Sequence, residues 1–148
     1  MEAAPTAAPF ISRWSAAEHR EALEDPDQDH IAIVDDDQLA GFILLAGLTN
    51  ANHAIELRRI VVAKPGAGLG GRALELVIEY GFERLDAHRL WLDVKLDNHR
   101  AQRAYERAGF KREGVLRDAL RTNGVYESLL VMSILKPEYD ARRSAFRD

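Results

Sequence analysis

The stretch Lys64-Pro65-Gly66-Ala67-Gly68-Leu69-Gly70-Gly71-Arg72 decides how the chain folds. Between positions 66 and 71 every residue but Leu69 is glycine or alanine. Upstream, residues 54–62 read as a strand. Downstream, Ala73, Leu74, Val77, Ile78, Gly81, Phe82 and Leu85 recur at helical spacing and form one apolar stripe. Residues 90–94 then read as another strand. Strand, glycine loop, helix and strand together make a parallel crossover unit. A loop of this kind is an anion cradle, because unpaired backbone N–H groups and the helix dipole both favour negative charge. One glycine there would be a plain tight turn; this density of small residues favours phosphate binding.

On the N-terminal side, residues 1–9 read as a disordered tail. Ser15, with Glu18 as capping-box partner, opens a short helix that Asp25-Pro26-Asp27 ends near Glu24. Residues 31–34 and 39–48 are strands separated by the Asp35-Asp36-Asp37 turn, and Thr49-Asn50-Ala51-Asn52 turns the chain into strand 54–62. These three form an antiparallel meander. On the C-terminal side, Asn98 opens a second short helix carrying Ala101, Ala104, Tyr105 and Ala108 on one face, and Gly109 terminates it. Strands 111–117 and 125–135 follow, joined through Thr122-Asn123-Gly124. Pro137 stops the last strand, and residues 138–148 read as a charged tail. The expected fold is α/β: a mixed, largely antiparallel sheet of about six strands, one central crossover and three helices, in a single domain over residues 10–137.

Composition narrows the function. The 148 residues carry 20 Lys and Arg against 24 Asp and Glu, a net charge of −4. That balance argues against a general nucleic-acid or anionic-membrane binder. The longest apolar run, residues 39–48, falls far short of the roughly 20 residues that span a bilayer. There is no cysteine, which removes disulfides, thiolate metal sites and a cysteine nucleophile, and fits a reducing, cytoplasmic setting. Histidines 19, 30, 53, 88 and 99 show no metal spacing, so no metal is expected.

The identity of the phosphate ligand depends on context. Gly66, Gly68 and Gly71 satisfy G-x-G-x-x-G, and Asp93 follows 22 residues after Gly71, which mimics a dinucleotide fingerprint. A dinucleotide fold requires several parallel crossovers, and here there is one. The Walker pattern fails because Arg72 and Ala73 follow Gly71. A second register, x-x-x-G-x-G over residues 65–70, resembles the acetyl-CoA motif of the GNAT superfamily of N-acetyltransferases. Downstream, Asn98, Tyr105, Gly109-Phe110, Glu113-Gly114 and Arg117 resemble the N-x-x-[SA]…Y/L-x-x-x-G-F-x-x-E-G-x-x-R signature of the branch that acetylates ribosomal proteins and polyamines. The resemblance spans about residues 30–135. Pro65 departs from the family's usual Gln or Arg and lacks an N–H. The region ahead of Asp35 is short for the family, which often builds its acceptor site there.

The resemblance implies acetyl-CoA as co-substrate, direct transfer of its acetyl group to a primary amine, and strands on either side of the crossover that splay to admit it. It implies that the backbone of Ile60, Val61 and Val62 holds the pantetheine arm and supplies the oxyanion donor. Gly66, Ala67, Gly68, Leu69, Gly70 and Gly71 would cradle the pyrophosphate, with Arg72, Arg100 and Arg103 as cationic partners. Asn98 would reach the pantetheine amides besides capping its helix, and Ala101 and its alanine neighbours would floor a groove for the thioester. Tyr105 is the candidate general acid, or else core filling. Transfer also requires the amine, with a pKa of about 10.4, to lose a proton. Glu56 is the preferred base and Glu127 the second; each could equally be an ordinary ion pair, Glu56 with Arg58. The acids Glu24, Asp25, Asp27, Asp29 and Asp35–Asp37 could attract a cationic amine, though a solvated loop is the preferred reading. The acceptor stays open between small amines and protein N-termini. Two copies could pair through the hairpin at 111–135. The competing readings are a catalytically inactive CoA-binding sensor or partner-binding domain of the same fold, and a dinucleotide module.

Overall fold

The computed structural model describes residues 10–13, 25–35, 38–62 and 69–147. In chain order the elements are β1 (Phe10–Arg13), β2 (Gln28–Asp35), β3 (Gln38–Ala46), β4 (Ala54–Val62), α1 (Leu69–Glu83), β5 (Arg89–Lys95), α2 (His99–Ala108), β6 (Lys111–Thr122), β7 (Val125–Leu135) and α3 (Lys136–Arg147). The strands form one seven-stranded sheet in the order β1-β2-β3-β4-β5-β7-β6. Its neighbours are antiparallel except β4 and β5, which the α1 crossover makes parallel. The expected mixed sheet with its central crossover is therefore present. The strand beyond the six expected is β1. The expected helix at 15–24, the turn at Asp36 and Asp37, and the tail at 1–9 lie outside the described residues.

Periodicity explains the core. Ile31, Ile33, Ile43, Leu45, Ile55 and Leu57 alternate inward on β2, β3 and β4 and are almost fully buried. Ala73, Leu74, Val77, Ile78 and Phe82 meet them from α1, and Leu90, Leu92 and Val94 of β5 face Ile134, Met132 and Leu130 of β7. Strands β3 and β4 pack so closely that a Cβ on Gly41 would lie 2.0 Å from the Val61 carbonyl oxygen. A side chain cannot enter without moving β4.

Local signals set the second helix and the hairpin. The Asn98 side-chain oxygen accepts the Ala101 N–H at 3.1 Å, and Gly109 ends α2 in the left-handed region at φ 113°. Inside α2, buried Gln102 donates its amide to the carbonyls of Lys95 and Leu96 at 3.0 and 2.9 Å, which pins the helix to the end of β5. Asn123 and Gly124 have φ of 52° and 80°, as a tight two-residue hairpin turn requires.

Two expectations are corrected. β6 does not stop at Arg117 but runs to Thr122, because residues 117–119 bulge out between the Leu116–Leu129 and Leu120–Glu127 pairs. Asp118, at φ 49°, gives its N–H to the Ser128 hydroxyl there. Of the charged tail expected at 138–148, the described residues 138–147 instead fold into α3, and Asp148 lies outside the described residues. Pro137 falls in the first turn of that helix, where a missing N–H costs nothing. Tyr139 stacks on Phe82 with ring centroids 4.7 Å apart and donates its hydroxyl to Glu83. Arg143 pairs with Glu79 and Glu83, so the charges that suggested a solvated tail are partners for α1.

Candidate active site

Strands β4 and β5 pair over three rungs only, Ala54 with Arg89, Ile55 with Leu90 and Glu56 with Trp91. Beyond Glu56 strand β4 continues to Val62, bonded to β3 on one side. Beyond Trp91 strand β5 continues to Lys95, bonded to β7. Among the described residues nothing pairs with the inner edges of these two ends. That is the expected splay. The backbone groups of residues 57–62 on the β5 side can therefore accept an extended chain as an added strand. Ile60 and Val62 are half-buried there, and Val61 is exposed.

The site residues distribute around this opening. Glu56 ends the last rung and Asp93 lies two residues past Trp91, so both point to the same sheet face. Arg58 is the extra residue of a β-bulge between the Leu45–Leu57 and Leu44–Arg59 pairs. Despite the bulge its guanidinium reaches Glu56 at 2.9 Å. Glu56 is thus an ion-paired carboxylate. Glu127 is also paired, with the Lys95 ammonium at 3.3 Å. It sits further along the sheet, in a groove of about 370 Å³ shared with Leu96, Asp97, His99, Tyr126 and Ser128. The three expected catalytic residues therefore do not converge on one point: Glu127 is set apart from the opening.

Tyr105 reaches the opening from α2. It is half-buried against the core and meets Phe110 edge-on, with centroids 5.8 Å apart. Its phenol is pushed above its ordinary range, first by desolvation and then by the negative charge of Asp93. It therefore stays protonated at neutral pH, as a proton donor must. Asp93 is pushed up from its ordinary value by desolvation and by Glu56, and Arg58 offsets part of this. Its carboxyl makes no hydrogen bond or ion pair among the described residues. In the sequence Asp93 stood out as the acid that completes the apparent dinucleotide fingerprint, and as the one acid in the otherwise apolar run Leu90-Trp91-Leu92-Asp93-Val94, but neither signal pointed to this opening.

Of the expected cradle, Gly66, Ala67 and Gly68 lie outside the described residues. Leu69 and Gly70 begin α1, with exposed Gly71 and Arg72 in its first turn. Asn98 spends its side-chain oxygen on the cap, Ala101 is half-buried, and Arg100 and Arg103 are exposed. Glu113 of the downstream signature is structural: a bulge between Arg112 and Gly114 turns it onto Arg89 and the Ser133 hydroxyl, which together hold its carboxyl below the usual range. The acidic N-terminal cluster is also partly structural. Asp27 accepts the N–H groups of Gly47 and Thr49, and buried Asp29 accepts the Tyr80 hydroxyl at 2.9 Å. No group of metal-ligating side chains is found among the described residues, and no described helix is long and apolar enough to cross a membrane.

Residues 3–110 match the Acetyltransferase (GNAT) family. The chain is 33% identical over 130 residues to a probable N-acetyltransferase of Bacillus subtilis, covering 85% of this chain and 72% of that protein. It is 29% identical over 118 residues to the spermidine N(1)-acetyltransferase of Escherichia coli K12, covering 79% of this chain and 63% of that protein. The crystal structure of spermidine N-acetyltransferase from Vibrio cholerae with CoA and spermine superposes with a TM-score of 0.76 at 25% identity, over 83% of this chain and 74% of that one.

Proposed function

The chain belongs to the GNAT family of acetyl-CoA-dependent N-acetyltransferases, and from that premise we propose that its acceptor is a cationic primary amine of the polyamine class. The observation that carries this reading is the net negative charge at the opening: Glu56 and Asp93 share one face where β4 and β5 part, and the single Arg58 guanidinium there pairs with Glu56. An ammonium-bearing chain complements that face. The Escherichia coli relative named for spermidine and the Vibrio cholerae structure with CoA and spermine support the same class.

In this reading the pantetheine arm pairs with the free edge of Ile60, Val61 and Val62 as an added strand, and a backbone N–H there receives the developing oxyanion. The pyrophosphate meets residues 66–71, with Arg72 and Arg103 nearby. Asn98 and Ala101 border the thioester end. The neutral amine attacks the thioester carbonyl, the C–N bond forms, the C–S bond breaks, and Tyr105 protonates the departing thiolate. No covalent enzyme intermediate is needed, in keeping with a chain without cysteine. The absence of cysteine also supports a cytoplasmic site of action. The β6–β7 hairpin extends beyond β5 and exposes Val115, Leu116, Val125 and Tyr126, a surface suited to self-association.

The test is in two stages. Melting with acetyl-CoA, CoA or NAD at 100 times Kd should show stabilisation of about 2.7 kcal/mol by the first two and none by NAD. Thiol release from acetyl-CoA should then depend on added spermidine. Stabilisation without thiol release from spermidine would leave CoA binding standing and remove the polyamine reading.

A further inference from the structure

We propose that Trp91 selects a polycationic acceptor: its indole face receives the methylene chain and second ammonium of the amine whose first nitrogen reacts. This role rests on the amine-acetyltransferase reading above and names the side chain that sets its specificity. Leu90, Leu92 and Val94 of β5 point into the core beneath α1. Alternation therefore sends Trp91 and Asp93 to the opposite face of the strand. Trp91 is half-buried there. Its neighbour across the last β4–β5 rung is Glu56, and its neighbour across β5–β7 is Ser133. Asp93 follows on the same face, roughly 7 Å further along the strand. The indole thus lies where the splay closes, with one carboxylate beside it and another ahead of it.

The ring is also uncommitted. Phe82 and Tyr139 stack on each other, Tyr105 meets Phe110 edge-on, and Tyr126 lies under the Arg121 guanidinium. Trp91 makes no ring contact, cation contact or hydrogen bond among the described residues. A half-buried tryptophan ordinarily finds a partner for its N–H and its faces. The cation nearest to hand, Arg58, is turned onto Glu56 at 2.9 Å and leaves the indole open.

The chemistry of the two kinds of group is complementary to a polyamine. Such a molecule alternates ammonium groups with short methylene runs. Carboxylates alone attract any cation and do not distinguish one amine from another. An indole adds an apolar surface for the methylenes and a negative face for an ammonium, and tryptophan makes the strongest such site among the aromatic side chains. The attraction grows when the pair is withdrawn from water. Desolvation is already felt on this face, where it is the first cause of the raised proton affinity of Asp93. A monoamine with a neutral tail would use the ring only as an apolar surface, which a leucine supplies as well.

The experiment compares wild type, Trp91→Tyr and Trp91→Leu in the full chain, with melting as the check on folding. Thiol release from acetyl-CoA is measured with spermidine and with 1-butylamine, whose tail carries no charge. Trp91→Leu should raise KM for spermidine about tenfold, while kcat and the KM for butylamine stay within about twofold. Trp91→Tyr should fall between wild type and Trp91→Leu. A second measurement does not depend on those variants. The only other tryptophan is Trp14, so Trp14→Phe leaves Trp91 as the sole indole. With CoA bound to prevent turnover, spermidine should change its emission saturably and butylamine should not. A wild type that acetylates spermidine while Trp91→Leu leaves KM unchanged, or raises it equally for both amines, overturns the assignment and leaves the function intact. Trp91 emission that stays constant at saturating spermidine does the same. A wild type that binds acetyl-CoA but acetylates neither spermidine nor any of a panel of primary amines overturns the function, and the role of Trp91 with it.

Discussion

Glu56 and Trp91 form the last rung of the parallel β4–β5 pairing, and beyond them each strand keeps only its outer partner. One register position thus sets both where the sheet opens and which side chains stand at the opening. Glu56 is the rung itself and Asp93 is one repeat beyond it. Tyr105 faces the gap because α2 is held to the end of β5 by Gln102.

Tyr105→Phe keeps the ring that meets Phe110 and removes only the hydroxyl. Steady-state kinetics should show kcat lowered by about a hundredfold with acetyl-CoA affinity unchanged. Unchanged kcat would make Tyr105 a core residue and nothing more.

Gly41→Ala should destabilise the protein by about 1–3 kcal/mol, because its Cβ would fall against the Val61 carbonyl. The displaced strand is the one whose free edge is assigned to the pantetheine arm, so acetyl-CoA affinity should fall as well. Gly114→Ala, with nothing within 4 Å of the added carbon, is the control and should melt like wild type. Equal melting of the two variants would show that β3 and β4 tolerate separation.

Glu113 connects acid stability to the β5–β6–β7 edge. The Arg89 guanidinium and the Ser133 hydroxyl hold its carboxyl below the ordinary value of 4.5. Its contribution is therefore present above 4.5 and lost as pH falls through the lowered value. Both partners are about a third exposed, so solvent screening limits the ion pair to about 1 kcal/mol. Glu113→Gln should melt below wild type at pH 7, and the gap should close toward pH 3. A gap of constant size across that range would remove the electrostatic explanation.

Much of this protein follows from short-range chemistry that the sequence displays directly. Asn98 and Gly109 bracket α2, Asn123-Gly124 turns the hairpin, the stripe from Ala73 to Phe82 defines α1, and one crossover interrupts a run of hairpins. Each of these depends on groups a few residues apart or on a repeat of fixed period, so composition and spacing determine them. The downstream signature, from Asn98 to Arg117, identified the family for the same reason. Which carboxylate stands unpaired was decided by the tertiary structure. The Arg58 bulge still returns its guanidinium to Glu56, the Glu113 bulge turns that carboxyl onto Arg89, and the β5–β7 register brings Lys95 to Glu127. The charged C-terminal segment became α3 only because Phe82, Glu79 and Glu83 of α1 wait for Tyr139 and Arg143. Bulges have no period and ion pairs join residues far apart in the chain, so their outcome exists only once the strands have registered.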